Sequence, residues 1–208
     1  MLRHRIFVCF FVILALRLHA AGQAPANANP NATGYTPITG KERVAWAVKS
    51  TIGVKSLAVS GVISAGWGTI FNNPPEYGTN FDGFAKRYGM RLTGVSTGNA
   101  IEASLGMAWG EDPRYFRVPE EKFWQRVGHA TDLTFRARGA DGNYHPAYAR
   151  YVGTAGNNFL SNTWRVDSES SFEDAVTRTA VGFAGKFASN LFDEFWPNVR
   201  TKLKGIKF

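Results

Sequence analysis

Apolar residues recur at helical spacing through most of the chain beyond its first forty residues. Val44, Val48, Ile52, Val59, Ile63, Trp67 and Ile70 form the first such stripe. Thr39 followed by Glu42 makes a capping box ahead of it, so a helix is predicted from there to about Phe71. Ser56, Ser60, Ser64 and Gly68 make a small-residue ridge beside the stripe. The uncharged part, residues 56–71, is short for a membrane span, which needs about 20 predominantly apolar residues. A tightly packed bundle helix is therefore predicted, stopped by Asn72-Asn73-Pro74-Pro75.

The second helix begins near Asn80, with Phe81, Phe84, Tyr88, Leu92, Val95, Leu105 and Trp109 on its apolar face. Gly94, Gly98, Gly106 and Gly110 lie on one i+4 ridge whose missing member is Glu102. A ridge without side chains lets another helix backbone come close, so this stretch is the strut on which other helices pack. Gly110 is placed to end it in a left-handed conformation, and Pro113 pushes Asp112 out of helical space. A third helix is predicted from Pro119, with Glu120 and Glu121 at its positive end and Phe123, Val127, Ala130 and Thr134 inward. Asp141-Gly142 then turns the chain, and Pro146 opens a fourth helix with Tyr148, Val152, Ala155 and Phe159 inward. Gly153 and Gly156 allow close approach there. Ser170 and Glu173 form a second capping box before the stripe Phe172, Val176, Phe183, Phe187, Leu191 and Phe195, and Pro197 interrupts this last helix. No strand-like alternation extends over more than a few residues. The expected fold is all-α: a single bundle of about five glycine-rich, closely packed helices.

Composition adds the frame. With 208 residues and 44% apolar content, one domain with a sizeable core is expected. Arg3, His4 and Arg5 precede the unbroken apolar run 6–16, the pattern of a secretory signal peptide, expected to be removed after Gly22 or Ala24. The division is then signal peptide 1–24, a flexible leader 25–38 rich in Ala, Asn and Pro, and a helical domain 39–208. Cys9 is the single cysteine and leaves with the signal, so the exported chain has no disulfide and no thiolate nucleophile or ligand. The expected location is the periplasm or cell envelope. Three basic residues, Arg3, Arg5 and Arg17, leave too, so the formal charge of +8 falls to a moderate positive value. That balance permits attraction to anionic lipid headgroups or envelope polymers and argues weakly for nucleic acid, which is not expected as a partner.

Few groups suggest chemistry. His129 and Asp132 are three apart on one predicted helix face, a spacing compatible with two metal ligands or a base and its orienting carboxylate. Zinc needs three or four ligands, and only His145 is near in sequence, so no metal and no cofactor are expected. Ser161 and Ser170 lack the context of a nucleophilic serine. Glu102, on a glycine ridge facing another helix, has two readings: a general acid or base in a cleft, or a carboxylate paired with Arg136 or Arg150 or left at a wet edge. The run Glu111-Asp112-Pro113-Arg114 also has two. Asp112 caps the backbone while Arg114 and Arg117 clamp helix ends, or Arg114, Tyr115 and Arg117 form a patch for a phosphate or sugar.

The sequence Glu111-Asp112-Pro113-Arg114-Tyr115-Phe116-Arg117, with Phe123-Trp124, Ser161-Asn162-Thr163-Trp164 and Glu194-Phe195-Trp196-Pro197, resembles the signature of a family of secreted bacterial proteins. The likeness covers roughly residues 74–204 and implies no activity, because the family has no assigned one. Two positions depart from its pattern: Gly110 stands where a histidine often precedes the acidic pair, and Asn198 where an aspartate often follows the Trp-Pro step. A proton-transfer role at those positions is therefore absent here.

The function these features favour is a structural or interaction role in the cell envelope, through a protein partner or through the basic tail. Arg200, Lys202, Lys204 and Lys207 alternate there with Leu203, Ile206 and Phe208, a pattern suited to an anionic membrane surface and equally to a solvated end. The alternative is a small envelope hydrolase using Glu102, or His129 with Asp132.

Overall fold

The computed structural model describes residues 35–205. The predicted signal peptide, most of the leader and the last three residues of the tail lie outside the described residues. The fold is all-α, as the periodicity predicts, with one short ribbon added. The first predicted helix is two: α1 (Gly40–Ile52) and α2 (Val62–Ile70), joined by a π-helical segment, Lys55–Gly61. Next come α3 (Phe81–Trp109), α4 (Phe123–Phe135), α5 (Tyr148–Ser161) and α6 (Phe172–Gly205). Between α4 and α5, β1 (Arg136–Arg138) pairs antiparallel with β2 (Tyr144–Pro146) around the predicted turn.

The capping chemistry explains the helix boundaries. Thr39 and Glu42 form the predicted box on α1. Asn80 accepts from the Gly83 N–H to start α3, and Gly110, at φ +73°, ends it in the left-handed region. Three predicted starts move. Pro119 lies in a turn, and α4 opens only after Lys122, whose N–H bonds the Gln125 side chain. Pro146 belongs to β2, and α5 starts two residues later. The last capping box is Ser171 with Asp174, one residue beyond the predicted pair. Pro197 lies inside α6 without ending it.

The centre is α3, against which α1, α2 and α5 all pack, while α6 lies on α5 and α4. The glycine ridge does face a helix. A Cβ on Gly153 would meet Gly98 O at 3.0 Å and Glu102 N at 3.2 Å, so α3 and α5 approach to backbone contact. Arg87 fixes the α2–α3 connection by donating to the carbonyls of Asn73, Pro74 and Gly78 at 2.6–2.8 Å.

The packing inverts the predicted sides of the first limb. Val44, Val48, Ile52, Val59, Ile63, Trp67 and Ile70 are all exposed, Ile70 at 76%. Arg43, Ser56, Gly61 and Ala65 are the buried positions, while Ser60 and Ser64 of the predicted ridge are exposed. On α4 it is Arg126, Ala130, Leu133 and Thr134 that are buried, and Phe123 is exposed. Tyr148, Val152 and Phe159 of α5 are exposed too, against the prediction. The largest fully buried side chains are Glu194, Asn190, Thr134, Asp112 and Ser161, with no large hydrocarbon among them.

Candidate functional site

Apart from Arg87, the buried charges among the described residues gather in three knots, and the acidic turn after α3 belongs to all of them. In the first, Asp112 is fully buried, and its carboxylate accepts from Arg114 Nε and Nη2 at 3.0 and 2.7 Å and from Tyr35 Oη at 3.0 Å. It also accepts the Arg114 backbone N–H, which closes the turn. Its own N–H donates to Arg138 O at 2.7 Å, bringing β1 alongside. The Arg138 guanidinium lies about 5 Å from the ring centres of Tyr35, Phe116 and Tyr144. Burial pushes the Tyr35 hydroxyl up from its ordinary value, and the neighbouring Asp112 charge adds to that.

The second knot ties the turn to α6. Glu194 is fully buried and accepts Arg126 Nε at 2.6 Å, Tyr115 Oη at 2.9 Å and the Val118 N–H. Its backbone carbonyl accepts from Arg117 and Arg126 at 2.8 and 2.7 Å, and both arginines also reach Asn198 Oδ1. Burial works to raise the Glu194 carboxyl. The hydrogen bonds from Arg126, Tyr115 and the Val118 amide outweigh it and hold the group below the usual carboxylate range.

The third lies between α3 and α5. Glu102 Oε1 accepts Arg150 Nε at 2.9 Å, and Arg150 also donates to the carbonyls of Leu133, Thr134 and Arg136. Arg150, one of the two predicted partners, is therefore the one used. The Glu111 carboxylate caps α5 by accepting the Ala149 N–H at 3.0 Å, and its carbonyl accepts Arg43 Nη1 at 2.6 Å. Burial raises the Glu111 pKa against that bond. Between Glu102 and Glu111 runs a crevice lined also by Gly106, Pro113, Ala137 and Ala149, too narrow for a water molecule.

The predicted candidates thus have separate partners. His129 donates from Nε2 to Phe116 O at 2.8 Å, so the proton is on that nitrogen if the ring is neutral. Asp132 pairs with Arg136 at 3.4 Å on the surface. Glu102 joins neither of them. Arg114, Tyr115 and Arg117 each bind within the chain: to Asp112, to Glu194, and to Glu194 with Asn198. His145 pairs with Asp141, whose carboxyl is lowered to about 2 by the side chain and N–H of Asn143 and then by His145. Among the described residues no three His, Cys, Asp or Glu gather to hold a metal ion.

Sequence reasoning missed Arg126, Arg138, Asn190 and Lys186. Arg126 had a readable signal, because with Ala130 and Leu133 it completes an i, i+4, i+7 stripe. Asn190 donates to Ala130 O and Thr134 Oγ1, sealing α6 on α4. Lys186 lies on the α6 stripe, one position from Phe187, and its ammonium sits 5.9 Å over the Trp46 ring. No hydrogen-bond acceptor meets it among the described residues. Burial, and then the Arg150 charge, push its pKa down to about 8. Compared with protein-family profiles, curated proteins and solved structures, the chain matches none.

Proposed function

We propose that this chain is an exported helical-bundle protein with a structural or interaction role in the cell envelope. The supporting observation is the commitment of the acidic turn: Asp112, Arg114, Tyr115 and Arg117 all bind groups within the chain, and the crevice behind them has no room for a substrate. Glu102 is tied to Arg150 in a filled interior rather than joined to His129 or Asp132, which is the arrangement of a structural carboxylate. The signal-like amino terminus and the basic residues Arg200 and Lys202 at the end of α6 support a reading in which its contacts are with an anionic envelope surface. Fractionation of the tagged protein, followed by high-salt and detergent extraction, tests this. The expected result is retention with the envelope and release by one of the two treatments. Recovery in the culture fluid or the cytosol overturns it.

A further inference from the structure

Every helix exposes large apolar side chains, beside exposed charges such as Lys49 and the Asp82–Lys86 pair. Ile52 is 57% exposed on α1 and Ile70 76% on α2. Trp124 on α4, Val152 on α5 and Val181 on α6 are exposed as well. Between α1 and α3 an open groove of about 210 Å³ is lined by Ala47, Val48, Thr51, Ile52, Ser96 and Ala100, with no charged group among them. The interior is the reverse, filled by the three charge knots, with backbone contact between helices at Gly98 and Gly153.

We propose that the apolar perimeter of this bundle is seated among lipid acyl chains, with the groove between α1 and α3 taking one of them. The proposal rests on the envelope reading and names the phase that meets the protein there. A partner protein or a second copy covers one contiguous patch. The exposed groups here lie on five helices that pack around one another, and only a fluid hydrocarbon meets them all. Lipid also demands the interior seen here, since polar groups facing it must be satisfied inside the bundle and close helix contacts come from small residues.

Charge complements this placement. Glu76 accepts from Ser168 where the α2–α3 and α5–α6 connections meet, and Asp167, Glu169, Glu173 and Asp174 gather around that end. Arg200 and Lys202 stand at the other end of α6, a helix of 34 residues and so about 50 Å long. One end thus suits anionic headgroups and the other suits water. Among the described residues no helix is long and apolar enough to cross a membrane. Lipid contact here belongs to the assembled bundle, whose buried carboxylates are paired with arginines inside it, and to no single helix.

The mature chain lacks cysteine under the predicted cleavage, so single labels are available. Ile52→Cys in the groove, Val181→Cys on α6 and Ser168→Cys at the acidic end would each carry an environment-sensitive fluorophore. The full exported chain is then mixed with neutral phosphatidylcholine vesicles, with and without nitroxide on the acyl chains. All three sites are exposed, and circular dichroism checks that the helices persist. The expected result is a blue shift at positions 52 and 181 with several-fold stronger acyl-chain quenching than at 168. Labels that stay water-like at 52 and 181 overturn the proposal. So does a blue shift that appears without lipid and grows with protein concentration, because it assigns the surface to a second copy. Aqueous labels in a protein that still fractionates with the envelope sink the lipid seat alone, while recovery in culture fluid sinks the envelope reading.

Discussion

The first limb and the junction of the acidic turn with α6 are built on opposite plans. Along α1 and α2 the large aliphatic groups face outward, and glycines make the close approach to α3, Gly61 of the π-helical segment at Tyr88 and Gly68 of α2 at Arg87. At the junction two arginines and a tyrosine converge on one fully buried glutamate. The difference teaches where cohesion resides. Burial of a Val, Leu or Ile side chain stabilises by about 1.5–3 kcal/mol, and the first limb forgoes much of that in water. The junction instead relies on geometry, since a buried ion pair holds only while every donor keeps its acceptor.

The sharpest test of that contrast is Glu194→Ala, which strands Arg126 inside the protein. A loss of about 3–5 kcal/mol is expected by urea denaturation, with Glu194→Gln less severe because one side-chain oxygen remains to accept. A Glu194→Ala protein as stable as the parent would erase the distinction between the two regions. Second in size is Gly153→Leu, which forces α5 off α3 and should cost about 1–3 kcal/mol or more. Gly98→Ala has room, with its Cβ 3.5 Å from Gly153 O, and gains helix propensity, so its melting temperature should hold or rise. The reverse ranking would show that the ridge sits differently.

Lys186→Met should raise stability by on the order of 1 kcal/mol, since it removes an amine without an acceptor and keeps the packing over Trp46. The folded pKa, about 8, lies below that of the unfolded chain, so between them the unfolded state binds more protons. Stability of the parent should therefore rise from pH about 8 to about 9.5, below the ionisation of unfolded tyrosines, and Lys186→Met should lack that slope. Equal slopes in thermal melts of the two proteins would place the amine in water. The smallest effect belongs to Ile63→Ser, expected within about 0.5 kcal/mol in buffer because the side chain is 64% exposed. A large loss in lipid-free buffer would mean that the first limb is covered there already.

What was legible in the sequence follows from what local chemistry decides. The cap at Asn80, the left-handed Gly110 and the box at Thr39 are fixed within four residues, and each is where the pattern puts it. The glycine ridge was readable because the absence of side chains has one mechanical meaning. The facing of the first limb was not. A stripe at period 3.6 says that a helix has two sides, while the side that turns inward is set by its neighbours. Against α3, small residues fit where Val and Ile would hold the helices apart. The knots were legible only by halves: Glu102 announced a buried carboxylate, but its choice of Arg150 over Arg136 depends on how α5 docks. Glu194 met Arg126 across 68 positions, which no local spacing encodes. Prolines misled at Pro119 and Pro146, since a residue that suits the first turn of a helix also suits the turn or strand before it.

Pro197 gives α6 a break that something else must span. It has no N–H to offer the Asp193 carbonyl, and its ring crowds that carbonyl, a cost of about 3 kcal/mol in a helix interior. Arg117 and Arg126 each hold Glu194 O before the proline and Asn198 Oδ1 after it. The two guanidinium groups act as a splint across a fractured rod. The heading of the basic arm beyond residue 198 is thereby set from outside its own helix, by arginines rooted in the acidic turn and α4. A change at Arg117, more than 80 positions away in sequence, would let that arm swing.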